Sequence, residues 1–88
     1  MSIKRHQLPL YKGKDHQVRA LKIKEIHQDP DGAAYLTPED ESYPQFQVSA
    51  EFMSQNKPKE GGYYVESVDG QPYYVEAKDF TKEYSLLK

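Results

Sequence analysis

Val48-Ser-Ala-Glu-Phe-Met53, Gly61-Gly-Tyr-Tyr-Val65 and Asp69-Gly-Gln-Pro-Tyr-Tyr-Val75, followed by Phe80 and Tyr84, hold most of the aromatic residues of the 88-residue chain and its strongest punctuation. Ser49 can cap a helix N-terminus through its hydroxyl, with Glu51 near the positive end of the helix dipole and Val48 placed to staple onto Met53. A two-turn helix is thus expected from Ala50, ending at Asn56 in the left-handed conformation, because Pro58 disfavours helical geometry at Lys57. Gly61-Gly62 then opens a strand from Tyr63 to Val68. Asp69-Gly70 predicts a two-residue type I′ turn, and Tyr73-Tyr-Val75 the return strand. That turn would put Tyr64, Val68, Tyr73 and Val75 on one face and Tyr63, Val65 and Tyr74 on the other. Pro72 points to a late start or an edge position for the return strand. Ala77, Phe80, Tyr84 and Leu87 recur at helical spacing and predict a closing helix on one face of the hairpin.

Upstream, Val18 to Ile26 alternates at Leu21 and Ile23, while Val18 and Ile26 fall out of phase. Asp29-Pro-Asp-Gly32 suits a type I turn, so the segment reads as a strand with a bulge near Lys24, turning into Ala33 to Thr37. Asp29 and Asp31 resemble a fragment of a calcium loop, but Ala33 and Tyr35 stand where oxygen ligands are needed, so a turn is the reading. Pro38 to Pro44 is an acidic loop. Gln45 to Val48 is a third strand, with Phe46 and Val48 inward. No connection holds a full crossover helix, so the expected fold is α+β: a small antiparallel sheet or open barrel of about five strands with two short helices. Residues 1–16 read as a flexible or irregular N-terminal lead, with Leu8, Leu10 and Tyr11 as a docking patch, and residues 17–88 as a single α+β domain.

Composition narrows the chemistry. There is no cysteine, hence no disulfide or zinc-thiolate site. No apolar run is long enough for a membrane span and no signal-peptide pattern opens the chain, so a cytosolic setting is expected. The net charge of −2 conceals an asymmetry: residues 1–28 carry seven Lys or Arg against two carboxylates, a net +5, and the remainder a net −7. His6, His16 and His27 show no ligand spacing on one element, and Gly61-Gly62 lacks the Lys-Ser/Thr of a phosphate loop. No catalytic residue, metal site or cofactor is expected, and the chain is read as a non-enzyme.

The tyrosines are the informative excess. Tyr63, Tyr64, Tyr73 and Tyr74 share one hairpin, and tyrosine brings large contact area at low entropic cost. Two readings stay open: a protein-interaction module using these four rings against a partner or a second copy of the chain, and a nucleic-acid-binding protein in which Lys4, Arg5, Lys12 and Lys14 contact phosphates beside stacked bases.

The segments Val48-Ser-Ala-Glu-Phe-Met, Lys57-Pro58, Gly61-Gly-Tyr-Tyr-Val65, Asp69-Gly70, Phe80 and Tyr84 resemble small proteins of tailed bacteriophages and prophages. In these a VSAEY-like helix start leads to KPxxGGYYVVYEDGY and a terminal FExGY. The resemblance covers about residues 18–84. Gln71 stands where that family has Tyr, and Val75-Glu76 replaces the Ser-Pro that caps its last helix. The resemblance implies a viral origin and a host bacterial cytoplasm setting, and for the interaction-module reading the partner expected is a host or phage protein. It implies no activity.

Overall fold

The computed structural model describes residues 8–67 and 70–86. The chain runs β1 (Leu10–Lys12), β2 (Gln17–Gln28), β3 (Ala34–Pro38), β4 (Phe46–Val48), α1 (Ala50–Asn56), β5 (Tyr63–Glu66), β6 (Pro72–Val75), α2 (Ala77–Glu83) and β7 (Ser85–Leu86). The strands form one open antiparallel sheet, so the fold is α+β.

Among the described residues β2 takes part in three of the six strand pairings, more than any other strand. Its first half is flanked by β1 (Leu10↔Arg19, Lys12↔Gln17) and by β5 (Arg19↔Glu66, Lys22↔Tyr63), and its second half pairs with β3 (Glu25↔Thr37, Gln28↔Ala34). The register slips between Ile23 and Glu25, which is the bulge expected at Lys24. This resolves the broken alternation of the sequence. The first half of β2 is buried on both faces, Val18 and Ala20 on one and Leu21 and Ile23 on the other, and the bulge returns Ile26 to the face of Ile23. Beyond β5, the same edge of β2 is closed by Gly61 and Gly62, which exchange backbone hydrogen bonds with Ile23 at 2.7 and 2.8 Å. Next to them the Glu60 carboxylate accepts from the Ile26 N–H at 3.2 Å.

Two cores result. On one face Leu21, Ile23, Ala34, Leu36, Val48 and Tyr64 pack with Phe52 and Met53 of α1. On the opposite face Val18, Ala20 and Val65 pack with Phe80 of α2, rimmed by Tyr11, Tyr63, Tyr73, Val75 and Tyr84. Each helix buries its apolar side on its own face of the sheet. β1 and β7 are the strands that sequence reading did not anticipate. Leu10–Lys12, part of the expected irregular lead, pairs with β2 and β7, and Leu8, expected in an exposed patch, is 2% exposed in the core. The Arg19 guanidinium donates to Leu8 O at 2.6 Å and holds that segment.

α1 begins as expected, with Ser49 Oγ accepting from the Phe52 N–H at 3.0 Å. Its closure differs. The left-handed residue is Lys57 (φ 47), whose N–H reaches Met53 O, whereas Asn56 stays helical and uses its side chain. Asn56 Nδ2 donates to Phe52 O at 3.1 Å and Oδ1 accepts from the Tyr74 N–H at 3.3 Å. Among the described residues β6 pairs only with β5, so it is the edge strand that Pro72 implied. Pro72 has no donor to offer and Asn56 occupies the Tyr74 N–H, which blunts this edge against strand addition. Ser49→Ala is expected to lower unfolding free energy by about 1 kcal/mol in a urea titration, with the slope unchanged.

The hairpin register also differs. Asp69 and Val68 lie outside the described residues, but their flanks fix the connection. Gly70 N–H donates to Ser67 O at 2.9 Å and Ser67 N–H to Gln71 O at 3.2 Å, with Gly70 at φ 88. The Asp29–Ala33 connection shows the same pattern: Gly32 N–H to Asp29 O at 3.0 Å, Asp29 N–H to Ala33 O at 2.7 Å and Gly32 at φ 97. Both are three-residue connections closed by a left-handed glycine, so the turn expected at Asp29 to Gly32 is kept while the two-residue type I′ turn expected at Asp69-Gly70 is not. The added residue shifts β6 by one and reverses its faces. Tyr64 pairs with Tyr74, and Tyr63 and Val65 pair with Val75 and Tyr73. Asp31 Oδ1 accepts from the Ala33 N–H at 3.0 Å, a turn-forming use of that carboxylate.

α2 ends at Glu83, earlier than the helical spacing implied. Tyr84 turns to extended backbone (φ −127, ψ 145) while its N–H still bonds Phe80 O, and the chain continues into β7. Leu87 lies outside the described residues.

Candidate functional site

The register divides the four hairpin tyrosines between two faces. Tyr64 and Tyr74 lie on the α1 face, Tyr63 and Tyr73 on the α2 face. Tyr64 is 7% exposed and its hydroxyl donates to Glu66 Oε2 at 3.1 Å, a buried carboxylate that stands opposite Arg19 in the ladder. It is a core residue. The other three are half-buried. Tyr74 lies over the Gly62 backbone so closely that any Cβ at Gly62 would overlap its ring. Burial raises its phenol above the ordinary value, against a backbone hydrogen bond at Lys59 that lowers it.

On the α2 face the rings gather around Phe80, which is 1% exposed. Tyr63 stacks on it at 4.0 Å between centroids and Tyr84 at 4.8 Å, while Tyr11 meets it edge-on at 4.8 Å. Such arrangements suit the quadrupole of each ring. Tyr63 and Tyr84 therefore each give one ring face to Phe80, which leaves less ring surface for base stacking than the sequence suggested. Burial raises the Tyr11 phenol, and neighbouring Tyr63 and Asp40 add to the rise.

Tyr73 extends the cluster. Burial first, then a hydrogen bond with Tyr84, pushes its phenol up to about 12. Because the neutral form is favoured in the folded chain, this group's contribution to stability is complete below its ordinary value of 10 and is lost as pH rises through about 12. Difference-absorbance titration is expected to show one phenol ionising near pH 12 that is missing in Tyr73→Phe, with the loss of stability between these pH values correspondingly smaller in the variant.

Tyr84 connects the cluster to the β1–β2 turn. Its Oη lies 2.8 Å from His16 Nε2, and its ring packs so near Gly13 that a side chain there would collide with it. A cleft of about 780 Å³ opens at this junction, lined by Lys12, Lys14, Asp15, His16, Lys82 and Glu83 among others. Lys12 and Lys14 of the sequence-based phosphate set thus stand beside a tyrosine, though Tyr84 and not a hairpin one. Lys4 and Arg5 lie outside the described residues. Tyr11, His16, Phe80 and Tyr84 carry this site; Tyr11 was expected in a docking patch with Leu8 and Leu10, and sequence reasoning did not single out the other three as functional. The usable signal was the helical spacing of Phe80 and Tyr84. Among the described residues no group of three or more His, Asp or Glu could hold a metal ion, and no helix is long and apolar enough to cross a membrane.

No protein-family model matches the chain, and no curated protein sequence matches it significantly. Among solved structures it is similar to the solution structure of the monomeric form of the phage L decoration protein, with 34% sequence identity and a TM-score of 0.71. The likeness covers 90% of this chain and 59% of that one. The chain is thus similar, in sequence and in fold, to a protein of a phage, and it spans 59% of that protein's length.

Proposed function

We propose that the chain is a phage-encoded, non-catalytic binding module that decorates the phage particle by attaching to its capsid protein. The observation that carries this is the 34% identity to the phage L decoration protein across 90% of the chain, at a TM-score of 0.71. The architecture suits the role. Half-buried tyrosines on a sheet face offer rigid contact area, and Tyr63 and Tyr84 are held in place by stacking on Phe80 and Tyr84 also by its hydrogen bond with His16. The module is made in the host bacterial cytoplasm and acts on the assembled particle. The nucleic-acid reading has weaker support, since the rings beside Lys12 and Lys14 are stacked on Phe80.

Incubating the purified chain with phage particles stripped of decoration, then pelleting the particles, tests the proposal. Saturable co-pelleting at a fixed number of copies per particle supports it. Chain left wholly in the supernatant at micromolar concentration refutes it. Sedimentation velocity of the chain alone separates attachment from self-association.

A further inference from the structure

The cleft between the β1–β2 turn and the end of α2 has walls that are fixed before any partner arrives. Gly13 N–H donates to His16 O at 2.8 Å, Tyr84 Oη meets His16 Nε2 at 2.8 Å, and Lys12 pairs with Ser85 in the β1–β7 ladder. Lys12, Lys14 and Lys82 line this cleft, all exposed, and among the described residues none of them is held in an ion pair. Asp15 and Glu83 stand in the same walls. Three ammonium groups and two carboxylates leave a mixed-sign surface with a small positive excess. Such a surface discriminates by the spacing of charge more than by its amount.

We propose that this cleft receives a sparsely acidic, extended segment of the capsid protein, its carboxylates set against Lys12, Lys14 and Lys82 and its uncharged residues against Asp15 and Glu83. The inference rests on the reading of the chain as a particle-binding module and names the chemistry of the contact. A polyphosphate chain fits less well. Its unbroken charge would be brought against Asp15 and Glu83, and Tyr84, stacked on Phe80, gives up one ring face that a base would use.

The test uses the full chain and a synthetic peptide with three glutamates spaced among glycines and serines, followed by amide chemical shifts. The expected result is saturable shifts confined to residues 12–17 and 82–85 that weaken as salt is added. Lys12→Glu with Lys14→Glu should weaken the peptide about tenfold, and Lys82→Glu alone should weaken it in the same direction. Lys78→Glu, on α2 but not in the cleft, should leave it unchanged. Absence of shifts, shifts centred elsewhere, or equal binding by the charge-reversed variants overturns the inference, as does tighter binding of an oligothymidylate at the same residues. Because the peptide arm contains no particle, its failure is distinct from a failure of the pelleting experiment.

Discussion

Phe80→Ala is expected to destabilise the domain by about 3–5 kcal/mol, the usual cost of emptying a fully buried phenylalanine site. Three tyrosines pack on this one ring, from β1, β5 and the end of α2. The neighbours cannot collapse into the space together, because Tyr63 and Tyr11 are fixed by the sheet and Tyr84 by His16. Domains of this size are stable by only about 5–15 kcal/mol, so the substitution removes a large part of the total. Urea unfolding followed by tyrosine fluorescence should show the midpoint falling sharply, and Phe80→Leu should recover part of the loss. A change below about 1 kcal/mol would mean that α2 does not cover this face of the sheet.

The second large effect is a coupling. Gly62→Ala should cost about 1–3 kcal/mol by overpacking, since Gly62 has no unusual φ and the three atoms nearest an added Cβ all belong to the Tyr74 side chain. In a Tyr74→Ala background the same substitution should be nearly neutral, within about 0.5 kcal/mol. The coupling free energy of the cycle then equals most of the single-mutant penalty. Additive costs would show that Tyr74 does not lie over Gly62, and with that the observed register of the hairpin would be lost.

Much of the fold was legible wherever one local interaction decides the geometry. Ser49 caps the helix at the residue expected, Asp29 to Gly32 turns the chain as expected, and the bulge falls at Lys24. The failures share a cause. Asp-Gly allows connections of two or three residues, and the choice depends on how the strands pack, which the dipeptide does not encode. One residue of difference exchanges Tyr73 for Tyr74 on each face. β1 and β7 are too short to show periodicity and exist because their neighbours in the sheet supply partners. Tyr84 and Leu87 matched a helical pattern, but the β1 edge draws the chain out of the helix after Glu83.

The candidate site was legible in part. That tyrosines mattered was readable from their number. Which of them gather was not, because the cluster joins β1, β5, β6 and α2 across more than sixty residues of sequence. Lys12 and Lys14 were seen as basic residues, but their neighbours in the cleft come from the last turn of α2.

The placement of the four hairpin tyrosines on the two faces follows from how β5 meets β6. In the antiparallel ladder with Ser67 bonded to Gln71, Tyr64 and Tyr74 form a non-hydrogen-bonded pair with closely approaching Cα atoms. Nuclear Overhauser spectroscopy should therefore show a strong Hα–Hα cross-peak between Tyr64 and Tyr74. A strong Hα–Hα cross-peak between Val65 and Tyr74 in its place would return the hairpin to a two-residue turn and contradict the division of the hairpin tyrosines between the two cores.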